Sequence, residues 1–185
     1  MNRIRIMVCV LLVLMPVTSF AQQQSLVFGQ DIGNFYATAF VDRVSLGVND
    51  SSTELRPAVL SIAPGFWLRE GIGIEFEAGF GFVDDSVGAL DLDFDSALSV
   101  NLRLESPPSE RFAVYVMGGY IRTTYTANLG GLRESLSLPG GRIGLGFTYH
   151  VSPRWVVDTS FTHHDYDNDT RINSFRLGIR LNAGS

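Results

Sequence analysis

The chain reads as an all-β protein, an eight-stranded antiparallel up-and-down transmembrane β-barrel after a cleaved signal peptide. Three observations predict this. The stretch DLDFDSALSVNLRLE, residues 91–105, alternates between two kinds of side chain. Leu92, Phe94, Ser96, Leu98, Val100, Leu102 and Leu104 fall on one side, and Asp91, Asp93, Asp95, Ala97, Ser99, Asn101, Arg103 and Glu105 on the other. A strand sends successive side chains to opposite faces, so this run has one apolar and one charged face. It also far exceeds the roughly five or six residues of an ordinary globular strand. The second observation is a secretory leader, and the third is that the alternation recurs along the chain.

Residues 1–21 carry the three parts of a signal peptide. Arg3 and Arg5 give a positive start, Ile6 to Met15 an apolar core, and Ser19-Phe20-Ala21 a small-x-small cleavage site. About ten apolar residues ending at Pro16 are too few to cross a roughly 30 Å hydrocarbon layer as a helix. Cys9 lies inside the apolar core with Val8 where a lipobox needs a small residue, so a lipid anchor is not expected. Residues 22–33 are read as a periplasmic N-terminal segment and 34–182 as the barrel, one domain without a linker. Beyond the leader there is no cysteine, hence no disulfide or thiolate metal site. Every cation is an arginine, and 19 acidic residues outweigh them. That balance argues against a nucleic-acid partner, which would require a basic patch.

Period-two runs bounded by turn residues predict strands over 34–47, 57–69, 71–83, 90–105, 111–126, 137–150, 154–166 and 171–182. The third sets Ile72, Ile74, Phe76, Ala78, Phe80 and Phe82 against Gly73, Glu75, Glu77, Gly79 and Gly81. The sixth sets Ile143, Leu145, Phe147 and Tyr149 against Arg142, Gly144, Gly146, Thr148 and His150. The eighth sets Phe175, Leu177, Ile179 and Leu181 against Ser174, Arg176, Gly178 and Arg180. The first is interrupted by Asp42-Arg43 and the fifth by Gly118-Gly119. Compact turns at 69–71, 106–110 and 151–153 alternate with longer polar connections at 48–56, 84–89, 127–136 and 167–170. Short turns at one end and longer loops at the other are the layout of a membrane barrel.

Period two alone does not say which face is outside, since a soluble lipocalin-like barrel would put its apolar face in the lumen. Glycines crowd the polar face, where a narrow lumen gains room from them and a solvated strand would be weakened. The chain has no lysine, which a soluble exterior would normally carry. Aromatics also fall where interface girdles belong: Tyr149 and Trp155 across the third tight turn, and Phe80, Phe82, Tyr125 and Phe161 toward the opposite rim. The polar face is therefore expected inside. An eight-stranded lumen is just wide enough to be filled by side chains, and buried charges persist there only when paired. Arg122 is expected beside Asp93 or Asp95, and Asp158 near Arg180 or Gly178. Glu75, Glu77, Arg103, Arg142 and Arg176 complete the expected plug.

Gly141 to Asn168 (GRIGLGFTYHVSPRWVVDTSFTHHDYDN) and Ser174 to Asn182 (SFRLGIRLN) resemble the end of small outer-membrane β-barrel domains of the OmpX, opacity-protein and OmpA-barrel type. The shared elements are Gly144-x-Gly146-x-x-Tyr149, Ser152-Pro153 with Trp155, the aromatic-acidic end of the seventh strand and Gly178 in the last. The resemblance implies location in the outer membrane of a Gram-negative cell, reached through the periplasm and the outer-membrane assembly machinery. Contact with outer-membrane lipid and lipopolysaccharide is expected, with loops offered to a host or surface ligand. Such chains usually end on an aromatic, whereas here Leu181 is followed by Asn182-Ala183-Gly184-Ser185.

His163-His164-Asp165 invites comparison with lipid A-modifying barrels, in which a rim His activates a Ser. The resembling deacylases carry His-x-Ser, but Asp165 holds that place, and Ser160 falls on the other face. The runs Asp91-x-Asp93-x-Asp95 and Asp165-x-Asp167-x-Asp169 open like calcium loops, yet Ser96 and Thr170 replace the sixth-position Gly, and Leu102 and Arg176 the twelfth-position Glu. No catalytic, cofactor or metal site is expected. The sequence predicts a non-catalytic barrel with a structural or surface-interaction role. A lipid A-modifying enzyme and a soluble secreted ligand-binding barrel are the rival readings.

Overall fold

The computed structural model describes residues 34–47, 54–55, 57–83, 85–87, 90–129, 132–166 and 171–183. Ten strands follow in chain order: β1 (Phe35–Gly47), β2 (Glu54–Leu55), β3 (Ala58–Arg69), β4 (Ile72–Val83), β5 (Asp85–Val87), β6 (Leu90–Glu105), β7 (Phe112–Leu129), β8 (Leu132–His150), β9 (Trp155–Tyr166) and β10 (Arg171–Ala183). Eight long strands pair antiparallel with their sequence neighbours, and β10 returns to β1 from Phe35↔Ala183 to Leu46↔Ile172. The sheet is thus closed. Closure removes the edges that would leave backbone N–H and C=O groups unbonded in hydrocarbon.

The tight turns are where Gly and Pro chemistry placed them. Glu70-Gly71 joins β3 to β4, with Gly71 at φ 71°, a left-handed conformation that glycine adopts without a Cβ clash. β6 and β7 meet through 106–111, where Ser109 and Phe112 pair around Glu110, itself at φ 57°. Between β8 and β9 the Trp155 N–H donates to Ser152 Oγ at 3.1 Å.

Burial alternates along the strands in the sense expected for a membrane barrel. Outward lie Phe76, Phe80, Val100, Leu102, Val114, Ile143, Leu145, Phe147, Phe175, Leu177 and Ile179, each more than two-fifths exposed. Inward lie Glu75, Arg103, Asp158, Arg176 and Arg180, none more than 1% exposed. This belt of bare aliphatic and aromatic side chains suits lipid and would be costly in water. At the loop end the lumen instead holds an apolar cluster that includes Val44, Val59, Phe94, Ile121, Tyr125, Tyr166 and Ile172.

Several elements differ from the sequence expectation. The expected loop over 127–136 is largely strand, because β7 and β8 stay paired up to Leu129↔Leu132. The connections expected over 48–56 and 84–89 contain the short strands β2 and β5. A β-bulge at Asp95 shifts the register between Phe94 and Ser96, so Phe94 turns inward above it while Ala97 turns inward below. One extra residue reverses the faces of everything beyond it. The leader, residues 22–33 and the connection at 167–170 lie outside the described residues.

The lumen has no room at Gly178: a Cβ there would sit 2.4 Å from Phe40 Cδ1 and 2.6 Å from the Ala39 carbonyl oxygen, whereas one on outward Gly141 would meet nothing within 4 Å. Gly178→Val should therefore lower the temperature at which the folded, fast-migrating gel band converts to the unfolded one, at a cost of about 1–3 kcal/mol. Gly141→Ala should leave that temperature unchanged.

Candidate functional site

The lumen gathers most of the buried charge, and alternation puts it there. The inward face of β4 contributes Glu75 and Glu77, β6 Arg103 and Glu105, β8 Arg142, β9 Asp158, β10 Arg176 and Arg180, and β1 Asp42. They pack in two layers. Nearer the tight turns, Arg103 is held by three carboxylates: Nη1 reaches Glu75 Oε1 at 3.0 Å, Nη2 reaches Asp158 Oδ2 at 2.8 Å, and Nε donates to Glu105 Oε2 at 2.8 Å. Glu105 is shared, because Arg180 donates Nη1 and Nη2 to its two oxygens at 2.9 and 3.0 Å. The Tyr115 hydroxyl donates to Asp158 Oδ1 at 2.6 Å, and the Tyr36 hydroxyl to Glu75 Oε1 at 3.1 Å. The Arg103 guanidinium also lies 3.5 Å over the Tyr115 ring.

In the second layer, Glu77 joins Arg142 at 2.7 Å and Arg176 at 2.9 Å. Arg176 Nε donates to Asp42 Oδ1 at 2.8 Å, and the Ser61 hydroxyl donates to the other Asp42 oxygen at 2.6 Å. The Arg176 guanidinium lies 3.9 Å over the Phe40 ring. Above this layer a hydroxyl and imidazole chain follows the wall. Thr162 and Ser174 share a hydrogen bond, Thr162 Oγ1 meets His164 Nε2 at 3.0 Å, and the Tyr166 hydroxyl lies 3.3 Å from His164 Nδ1 and 2.8 Å from Thr123 Oγ1.

Of the charges the sequence assigned to the lumen, Glu75, Glu77, Arg103, Arg142, Asp158, Arg176 and Arg180 are brought together. Three are not. Arg122 is exposed on the outer face, in register with Leu98 and Pro139. Asp95 is exposed and accepts from the Thr126 hydroxyl at 2.6 Å, and Asp93 is half-buried in register with Thr126. The bulge moved both aspartates, while Arg122 was misplaced because β7 carries apolar side chains on both faces. Asp158 does lie in register with Gly178, but its ion pair is with Arg103 rather than Arg180.

Among the aromatics, Phe80, Phe82, Phe161 and Trp155 are exposed on the outer face. Tyr125 is not: it is buried in the lumen, edge-on to Phe94 with centroids 5.3 Å apart. Tyr120 is the exposed tyrosine of that strand. Tyr149 is in register with Val157 and packs on Phe112 at 4.9 Å, while Trp155 is in register with Leu181, so the two do not face each other. Asp42, Glu105, Tyr36 and Tyr115 were not singled out as lumen partners. The signal for Asp42 was available, since it shares parity with Tyr36 and Thr38 on β1. Among the described residues His163 Nδ1 pairs with Asn173 Oδ1 at 2.8 Å, and His164 is buried on the opposite face. Among the described residues no group of three or more His, Cys, Asp or Glu is arranged to hold a metal ion.

A closed eight-stranded barrel with an apolar belt and a charged lumen can now be set beside known proteins. The outer membrane protein beta-barrel domain matches residues 7–182. The chain belongs to that family. It is an outer-membrane β-barrel protein, located in the cell outer membrane. Solved barrels share the fold: Neisserial surface protein A at 13% identity, with 80% of this chain and 96% of that one covered and a TM-score of 0.67. Ail, the attachment invasion locus protein of Yersinia pestis, gives 17% identity, 82% and 99% coverage and a TM-score of 0.61. The N-terminal barrel domain of Pseudomonas aeruginosa OprF gives 14% identity, 82% and 98% coverage and a TM-score of 0.59. No curated protein sequence matches the chain. At such identities the likeness is one of fold.

Removing one partner from a buried ion network leaves the rest uncompensated. Arg103→Met should destabilise this outer-membrane barrel by about 3–5 kcal/mol, read as a lower urea midpoint of tryptophan fluorescence in lipid vesicles. Arg122→Met, on the outer face, should stay within about 0.5 kcal/mol of the parent.

Proposed function

We propose that this barrel is a non-catalytic outer-membrane protein whose lumen is plugged by its charged network and which acts by presenting its loop end to a partner outside the cell. The observation that carries this reading is the open edge of β8. Its residues Leu132–Pro139 pair with β7, but β9 joins β8 only from Gly140 onward. Among the described residues no strand lies on the other side of that segment. Eight residues of strand extend about 26 Å, and every second one turns its N–H and C=O away from β7.

The position of this edge supports the reading. On β7 the outward aromatics end at Tyr120, above which stand exposed Arg122 and half-buried Thr124, and on β8 Glu134, Ser135, Leu136 and Ser137 are all exposed. The ribbon therefore continues past the apolar belt. By the rule that outer-membrane barrels keep short turns in the periplasm, it faces the exterior. An unpaired edge recognises an extended backbone by adding it as another strand, with main-chain hydrogen bonds supplying affinity. Lipopolysaccharide surrounds the same rim, where outward Arg43 and Arg122 offer cations to its phosphates.

The test combines an edge and a lumen measurement. Proline at Ser135 and, separately, at Leu136 removes one N–H each, and one of these faces the open side. The variant that retains the heat-dependent band shift should reduce adherence of expressing cells to host-cell and matrix-coated surfaces several-fold. Adherence equal to the parent in that folded variant would sink the edge reading. The purified barrel should give no conductance steps in planar bilayers. The lipid A of expressing cells should keep its mass, and a mass change abolished by His163→Ala would restore the enzymatic alternative.

A further inference from the structure

Over residues 132–139, β8 is paired on one side alone among the described residues. The side chains along this edge are not uniform. Glu134, Leu136 and Leu138 share the parity of Arg142 and lie on the lumen side of the ribbon, whereas Ser135 and Ser137 lie on the outer side. Leu138 is buried in the apolar cluster with Tyr166 and Ile172. Leu136, in register with buried Tyr125, is 48% exposed although it stands above the lipid belt. Glu134 is exposed, and its neighbour in register on β7 is Ala127, which brings it no charge.

Edges that must stay unpaired are usually guarded by charge, proline or a bulge. From Ser135 to Leu138 there is neither charge nor proline. Pro139, which has no N–H to offer, stands at the foot of the segment, where β9 takes over at Gly140↔Tyr166. A strand added in line with β9 runs antiparallel to β8, and residues directly opposite one another then share a face. From its N-terminus it sets one residue against Leu138, the next but one against Leu136, and the next but one again against Glu134. Apolar side chains suit the first two, since they take Leu136 out of water. A cation suits the third, where a carboxylate would be repelled. The residues between fall opposite Ser137 and Ser135, where hydroxyls pair.

We propose that the β8 edge takes an extended peptide segment of the pattern apolar-x-apolar-x-cation, with Ser or Thr at the x positions, bound antiparallel against Leu138, Leu136 and Glu134. Main-chain hydrogen bonds to the edge supply affinity, and the three alternate side chains supply the choice of segment. This partner rests on the edge reading given under the proposed function and narrows it to one chemistry.

The test uses the whole barrel in phospholipid nanodiscs and three labelled peptides, read by fluorescence anisotropy. They are Ser-Val-Thr-Val-Thr-Lys-Gly, the same peptide with Glu in place of Lys, and the reversed sequence Gly-Lys-Thr-Val-Thr-Val-Ser. The Lys peptide should bind about three- to tenfold more tightly than the Glu peptide, and more tightly than the reversed one. In Glu134→Lys the order of the Lys and Glu peptides should invert, and Leu136→Ala should weaken both several-fold. Equal affinities in the parent, an order that Glu134→Lys leaves unchanged, or tighter binding of the reversed sequence would overturn the proposal. Absence of binding by all three would do the same. Adherence still lost in the folded proline variant would then assign the edge a partner of other chemistry, whereas adherence kept would remove the edge reading as well. Variants are compared only if they retain the heat-dependent band shift. Should Glu134→Lys lose it, the Lys and Glu peptides on the parent still decide.

Discussion

Everything in this molecule follows from the demand that a strand crossing hydrocarbon have a bonded neighbour on both sides. Eight strands meet that demand only when the last pairs with the first, and the β10–β1 ladder of twelve residue pairs does so. Closure at eight strands then fixes a narrow interior that side chains must fill. The outer face has to be apolar to suit lipid, so the polar complement of each strand is directed inward. A lumen full of charge is the remainder left by these two requirements. Stability depends on how well that remainder pairs.

The pairing is graded along the axis. Near the tight turns, three carboxylates share two guanidinium groups, with tyrosine hydroxyls and rings completing their surroundings. The middle layer is balanced two against two. Toward the loop end the interior becomes apolar around Phe94, Tyr125, Tyr166 and Ile172. Dispersion and edge-on ring contacts replace ion pairs there. The same end carries the part of β8 that, among the described residues, is paired on one side alone.

Much of this was legible in the sequence, for reasons particular residues make plain. Along β4 and the lower part of β6 one face is wholly apolar and the other charged, so the inward positions of Glu75, Glu77 and Arg103 follow from parity alone. Parity failed where it carried no contrast. On β7, Val114 and Val116 face out while Tyr115 and Met117 face in, leaving nothing to mark Arg122 as outward or Tyr125 as inward. The Asp95 bulge was also hidden, because an extra residue shows only against the strand it fails to match. The extension of β7 and β8 over 127–136 was read as loop, since Asn128, Gly130-Gly131, Arg133 and Glu134 signal a turn as readily as a solvated ribbon.

The wiring of the lumen ties distant parts of the chain together. Arg176 meets Asp42 across 134 positions of sequence, and Arg180 meets Glu105 across 75. Both arginines belong to the last strand of the chain, and both acceptors to strands that precede it in sequence. An incomplete sheet thus keeps carboxylates that still require water, and only docking of the final strand makes the interior electrically self-sufficient. The charges thus act as a latch whose last contacts, Arg176 to Asp42 and Arg180 to Glu105, are made only when the sheet is complete.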